Sequence, residues 1–369
     1  MERFIRTAAE DPKVIALKMT LYRTGEDSPF IPLLIRAAES GKQVACLVEL
    51  KARLDEERNI LVAQALEKAG VHVVYGVLGL KTHCKLALVV RQESDGVRCY
   101  AHVGTGNYHV KTARQYTDLG LFTAKKAFTT DIVHLFHYLT GRSLTWKFKK
   151  LLVAPIDMRE SFLRMIKREI HIAQSGGKAH IIAKMNNLDD TQIIDALYEA
   201  SSAGVKIDLL VRSICCLRPR VPNLSDNINV ISIVGRFLEH SRIFYFRSGA
   251  DSPEKGEFYF GSSDWMYRNL SARVEAVAPI EEPSLKQRCW EILNLMISDE
   301  KLAWEMEASG HYTRRIPKSG NGRLDCHEAL MHLAASREKL PPSKGPRTTR
   351  RRPSQRRQPA LLDAKPLIQ

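Results

Sequence analysis

The chain has 369 residues, 44% of them hydrophobic and 26% charged, with a formal net charge of +15 at pH 7. These are the proportions of a folded globular protein, and at ~150 residues per core the length predicts about two domains. No apolar stretch reaches the ~20 residues that span a bilayer, "MERFIRTAAEDPK" has no secretory apolar core, and seven cysteines without a C-x-x-C pair read as reduced thiols, so a cytoplasmic setting is expected.

The first segment, "VIALKMTLYRTGEDSPFIPLLIRAAESGKQVACLVEL", predicts strand, loop, helix, a stop at Gly41 and a second strand. A helical "ERNILVAQALEKAG" follows. Next comes "GLKTHCKLALVV", in which alternation places His83, Lys85, Ala87 and Val89 on one face of a single strand. After "VGTGNY" at 103 to 108, the helix "TTDIVHLFHYLTG" closes a first domain over 1–146. Residues 179 to 212, "AHIIAKMNNLDDTQIIDALYEASSAGVKIDLLVR", repeat the opening order, with Gly204 as the stop. "LEHSR" and "FGSSDW" then precede a helix read through "LKQRCWEILNLMISDEKLAWEM", which closes a second domain over 147–312. Strands alternating with helices predict an α/β fold with sheets buried on both faces.

Residues 313–369 form an extension. From Lys339 onward it carries nine Lys/Arg and one acid, Asp363, leaving a body of 47 basic and 40 acidic residues, net +7. This Arg/Pro-rich tail is expected to be disordered and suited to polyanions.

The duplication carries the chemistry. Lys18-Met19 in the first half matches Lys184-Met185 in the second, and His83-x-Lys85 matches His240-x-Arg242. From His83 to Gly104 is 21 residues, and from His240 to Gly261 is also 21. Two such halves can oppose two imidazoles across one cleft, one attacking and one moving a proton. Lys85 and Arg242 would neutralise an anion between them, and the glycine turns at 104, 106 and 261 let backbone N–H groups approach oxygens. Fixed cations and tight turns point to phosphoryl chemistry, where electrostatics and positioning dominate.

This constellation resembles the phospholipase D superfamily, with one departure. The aspartate expected after four further residues is replaced by Val90 in the first half and is absent after Arg242 in the second. The segments "LKMTLYRTG", "ELKARLDEERNI", "KTHCKL", "AHVGTGNYHVKTARQYTDLGL", "DNINVISIVGRFLEHSRIF" and "SSDWMYRNLSARVE" resemble the long-chain (first-type) polyphosphate kinases, from about residue 3 to about 315. The resemblance implies two tandem phospholipase D-like α/β domains in a pseudo-two-fold pair. It also implies reversible transfer of the ATP terminal phosphate to inorganic polyphosphate through a phosphohistidine.

By the same resemblance, His83 is the phosphorylated residue and His240 contacts nucleotide and moves a proton at the leaving oxygen. Tyr116 and Arg212 contact nucleotide, while Arg23 and Arg53 belong to the magnesium and phosphate site. Guanidinium has no lone pair for a metal, so both arginines are expected to bind phosphates bridged by Mg²⁺. Lys85 and Arg268 are added as phosphate contacts. ATP and Mg²⁺ are thus the implied cofactors, with ADP and polyphosphate as exchange partners. "LLVRSICC" has Ser213 where that family has glycine. The family also carries an N-terminal domain and a dimerising head domain ahead of this segment, so a homo-oligomer or a missing N-terminal half is expected. Two rival readings are a phospholipase D-like phosphodiesterase or nuclease, and an inactive polyanion-binding fragment.

Other residues have plainer expectations. His102 is expected to pack within a strand, His134 and His137 to be structural, and Asn107 and Asp264 to orient the glycine turns. Cys84, Cys215 and Cys216 read as small core residues.

Overall fold

The duplication seen in the sequence is a duplication of topology. The computed structural model describes residues 1–22, 28–49, 56–141, 146–316 and 324–338. The first half opens with α1 (Glu2–Glu10), β1 (Val14–Leu21), α2 (Phe30–Glu39), β2 (Gln43–Val48), α3 (Glu56–Lys68) and β3 (His72–Val74). It continues through β4 (Lys81–Thr82), β5 (Lys85–Glu93), β6 (Gly96–Gly104), α4 (Val110–Gln115), β7 (Tyr116–Thr117), β8 (Gly120–Thr123) and α5 (Lys126–Leu139). The second half runs β9 (Leu152–Ala154), α6 (Met158–Gln174), β10 (His180–Met185), α7 (Thr191–Ser202), β11 (Lys206–Val211) and β12 (Ile228–Ile233). Then come β13 (Leu238–Glu239), β14 (Ile243–Phe246), β15 (Glu257–Gly261), α8 (Tyr267–Ser271) and β16 (Arg273–Ile280). The described chain ends with α9 (Pro283–Ile297), β17 (Ala303–Met306), β18 (Tyr312–Arg314) and α10 (Cys326–Glu338).

The first sheet has the order β3-β2-β1-β5-β6-β8, and the second contains β12-β11-β10-β14-β15-β16 in the same sense. In both, three parallel strands are followed by antiparallel ones: β1 pairs parallel with β2 and antiparallel with β5, as β10 does with β11 and β14. The parallel strands are mostly apolar and mostly buried, as expected of parallel sheets, with Lys18 and Lys184 at matching positions in β1 and β10. The helices are placed by ordinary signals. Asp190 caps α7 by accepting the Ile193 N–H at 3.2 Å, and Gly41 and Gly204 take positive φ just past α2 and α7.

Strand β5 divides its side chains between two cores. Leu86 and Leu88 face a cluster shared with Phe136, Tyr245 and Phe260, whereas Ala87 and Val89 join a first-half cluster with Met19 and Leu34. The shared cluster draws on both halves, and Met1–Leu330 form one compact unit.

The closing helix is shorter than expected. It stops at Ile297, and "AWEM" is strand β17, antiparallel to β12. Asp299 causes the break: its carboxylate accepts the N–H groups of Lys301, Leu302 and Ala303, and also that of Cys326. Strand β18 adds to β17 beyond it. The tail from 339 lies outside the described residues.

Candidate active site

Each histidine sits where its chain changes sheets. The expected single strand through His83 is two: β4 pairs in parallel with β16 of the second half, and β5 begins at Lys85 in the first sheet. Between them the N–H groups of His83 and Cys84 both donate to the Val274 carbonyl, at 2.9 and 3.1 Å. The second half mirrors this. Strand β13 pairs with β7 of the first half, His240 follows it, and β14 enters the second sheet. A residue held at such a crossing is fixed by backbone on both sides while its side chain lies at the seam.

The imidazoles take their partners across that seam. His83 Nδ1 lies 2.8 Å from Glu275 Oε1, and His240 Nδ1 lies 2.7 Å from Asp118 Oδ1. Glu275 is in turn fixed by Ser262 Oγ and by Asn269 Nδ2, and Asp118 by Thr105 Oγ1 at 2.7 Å. An ionised carboxylate only accepts: facing ionised Asp118, His240 Nδ1 carries the hydrogen and Nε2 keeps its lone pair, and His83 takes the same form whenever Glu275 is ionised.

Burial, helped by nearby cations, keeps both rings neutral. Burial, reinforced by the charges of Lys85, Arg273, Arg242 and His240, holds His83 well below the ordinary imidazole range. Burial and Arg242 bring His240 down to about 4, against the pull of Asp118. Burial pushes Glu275 up to about 7 despite the Lys85 ammonium. The close His83–Glu275 contact is therefore a hydrogen bond from a neutral ring rather than an ion pair. A neutral imidazole with a free Nε2 is a nucleophile.

The paired bases are held alike. Lys85 Nζ donates to the His83 carbonyl, and Arg242 Nη1 donates to the His240 carbonyl at 2.8 Å. Both are buried, with relative exposures of 2%. Burial brings Lys85 down to about 7, so its charge is easily tuned by a bound anion. Arg242 is further locked by Asp264, Nε to Oδ1 at 3.1 Å, and Nη1 lies 3.2 Å from His240 Nε2.

The structure brings Tyr116 and Arg212 to the same place. The Tyr116 ring centroid is 5.0 Å from that of His240, and Arg212 Nη1 donates to the Glu239 carbonyl at 2.8 Å. Tyr116 and Asp118 also line a cavity of ≈ 380 Å³ with His102, Tyr108 and His109. Arg268 is exposed at the start of α8, while the arginines whose charges reach His83 are Arg273 and Arg242. Arg23 and Arg53 lie outside the described residues.

The plainer expectations divide. Asp264 accepts the Asn186 N–H at 2.8 Å beside its Arg242 pair. His102 packs in β6, its Nδ1 2.9 Å from the Tyr108 hydroxyl. His134 stacks on Trp146 at 3.7 Å. Cys84 is buried and Cys215 half-buried, but Cys216 is exposed, because the chain has left β11 for a surface loop.

Sequence reading missed the carboxylates. Asp118 lies 35 residues beyond His83, and Glu275 lies 35 beyond His240. Thr105 and Ser262, which orient them, lie 22 beyond the same histidines. Equal spacing was the available signal. That each acid serves the opposite histidine was not in it.

A pair of duplicated α/β halves with two seam histidines defines the phospholipase D-like class of folds. Phosphatidylserine synthase from Haemophilus influenzae shares this fold, with TM-score 0.55 over 91% of each chain at 8% identity. Within the class, residues 1–145 match the family model for polyphosphate kinase C-terminal domain 1, and 151–325 that for C-terminal domain 2. The chain belongs to the polyphosphate kinase family. It is 56% identical over 331 residues to the polyphosphate kinase of Thermosynechococcus vestitus, covering 90% of this chain and 45% of that protein. The crystal structure of polyphosphate kinase from Porphyromonas gingivalis matches with TM-score 0.84 at 36% identity, over 92% of this chain and 51% of that one. The chain thus spans about half the length of the relatives it matches.

Proposed function

We propose that this chain transfers the terminal phosphate of ATP, reversibly, to inorganic polyphosphate through a phosphohistidine on His83. The observation that supports the reading is the exchange of carboxylates across the seam, with the charges of Lys85, Arg273 and Arg242 all reaching His83. His83 Nε2 attacks the γ-phosphorus; an N–P bond forms as the bond from phosphorus to the bridging oxygen breaks, and ADP departs. The arriving phosphate charges raise the proton affinity of His240, whose Nε2 takes a proton from solvent and gives it to the departing oxygen. In the second half, the terminal oxygen of polyphosphate attacks the phosphohistidine and the N–P bond breaks. Tyr116 and Arg212 hold the nucleotide beside His240.

Among the described residues no group of three or more His, Cys, Asp or Glu is placed to hold a metal ion. Mg²⁺ would enter with the nucleotide, whose phosphates Arg23 and Arg53, outside the described residues, would bind. No described helix is long and apolar enough to cross a membrane.

The test is incubation of the purified chain with γ-labelled ATP and Mg²⁺. The expected products are ADP, labelled polymer and acid-labile, alkali-stable label on the protein, with the last absent in His83→Ala. Label persisting in that variant places the nucleophile elsewhere. Rapid hydrolysis of a model phosphodiester without ATP would favour the phosphodiesterase reading, against Val90 and Arg247 at the aspartate positions of that motif.

A further inference from the structure

Behind His240 lies a second polar cluster that the chemistry above does not use. Glu239, in β13, is 5% exposed and binds three side chains from three parts of the chain. Its Oε1 accepts from His327 Nε2 at 2.7 Å, while Oε2 accepts from Thr117 Oγ1 at 2.7 Å and meets Lys184 Nζ at 2.8 Å. Burial would raise Glu239, yet Lys184, His327 and Thr117 bring it down to about 2. A charged carboxylate so enclosed is a rigid node, since each lost partner exposes an uncompensated buried charge.

That node governs neighbours on both sides of the seam. Glu239 pairs with Thr117 in the short β13–β7 ladder, whose other rung joins Leu238 to Tyr116. Thr117 precedes Asp118, the partner of His240, and the His240 N–H points to Thr117 Oγ1 at 3.4 Å. The Glu239 carbonyl holds Arg212.

His327 enters this node from the first turn of α10. The ring is 3% exposed and its backbone start is fixed independently, since the Cys326 N–H donates to Asp299 Oδ2 at 2.7 Å. It lies against Gly235, where an added Cβ would come 2.8 Å from His327 Nδ1, and its centroid is 5.5 Å from that of Phe237. Among the described residues Nδ1 has no hydrogen-bond partner, so the ring is aimed by packing and the Glu239 contact. Its position falls just past the 151–325 match to C-terminal domain 2.

We infer that His327 is a positioning residue: through Glu239 it fixes the β13–β7 ladder, and with it the Nδ1–H tautomer and the aim of His240. The inference rests on the phosphotransfer reading in its kinetic arm alone. Nitrogen-detected NMR of the histidine rings, in the full chain without ligand, reads the His240 tautomer directly. In His327→Ala the Nδ1–H signature of His240 should give way to a mixture of tautomers, and His327→Gln, whose amide N–H reaches Glu239, should restore it. Gly235→Ala, which pushes the ring from the other side, should act like His327→Ala. Where the wild type turns over, His327→Ala should lower kcat on the order of 10-fold with KM for ATP little changed, as loss of an orienting partner does. Unchanged His240 signals in folded His327→Ala overturn the inference. Should that variant fail to fold, unchanged signals in Gly235→Ala do so. A wild type without turnover refutes the phosphotransfer reading and leaves the NMR comparison to decide this one.

Discussion

His83 and Glu275 are 192 residues apart in the chain, and their side chains meet at 2.8 Å. The acid is completely buried, and it is fixed by Ser262 and Asn269 as well as by the histidine. The geometry makes Glu275 an orienting group whose removal should affect chemistry more than folding.

Glu275→Ala leaves the Nδ1–H of His83 unpaired and the ring free to turn. Phosphorylation of His83 should fall by at least ~10²-fold, the scale seen when a histidine loses its orienting carboxylate. Glu275→Gln should fare better, because the amide oxygen can face His83 and Asn269 while the amide nitrogen faces the Ser262 hydroxyl. Single-turnover labelling of the three proteins checks the order; equal rates in Ala and wild type would refute it.

Acidification should weaken the fold before ordinary carboxylates titrate. His240 is lowered to about 4 and His102 to about 3, so between pH 6.5 and 4.5 the unfolded chain binds protons that the folded chain refuses. A folded pKa below the unfolded one makes a base lose stability as pH falls. The His83–Glu275 pair adds little slope there, because lowering His83 and raising Glu275 moves one proton between partners. Urea midpoints should fall with a slope on the order of 1–3 kcal/mol per pH unit. A flat midpoint across that window would contradict the neutral state of His240 and His102.

Gly106 has no room for a methyl group: an added Cβ would sit 2.2 Å from Asp118 Oδ2. Gly106→Ala should therefore push Asp118 off His240 Nδ1 while the sheets remain intact. Turnover is expected to drop by about 10–100-fold, as for other outer-shell disruptions, with a melting temperature within a few degrees of wild type. Near-normal turnover would mean that Asp118 is dispensable.

Much of this arrangement was legible in the chain. The repeated strand–helix–strand order and the equal His-to-Gly spacing follow from local patterns, and both recur in the two sheets. What was not legible depends on distant partners. Alternation carried His83 into one long strand, whereas the chain breaks there because Thr82 pairs with Val274 and Lys85 with Gly104. The helix through "LKQRCWEILNLMISDEKLAWEM" failed at Asp299, whose carboxylate gathers N–H groups from a turn and from Cys326, contacts that no helical period reveals. Asp118 and Glu275 drew no expectation at all, since their bases stand in the opposite half.

That crossing makes the two halves mutually dependent: neither can orient its own histidine, because each acid stands in the other half. Corresponding positions nonetheless differ, lysine against arginine at 85 and 242, asparagine against aspartate at 107 and 264, and aspartate against glutamate at 118 and 275, so the two halves are no longer interchangeable.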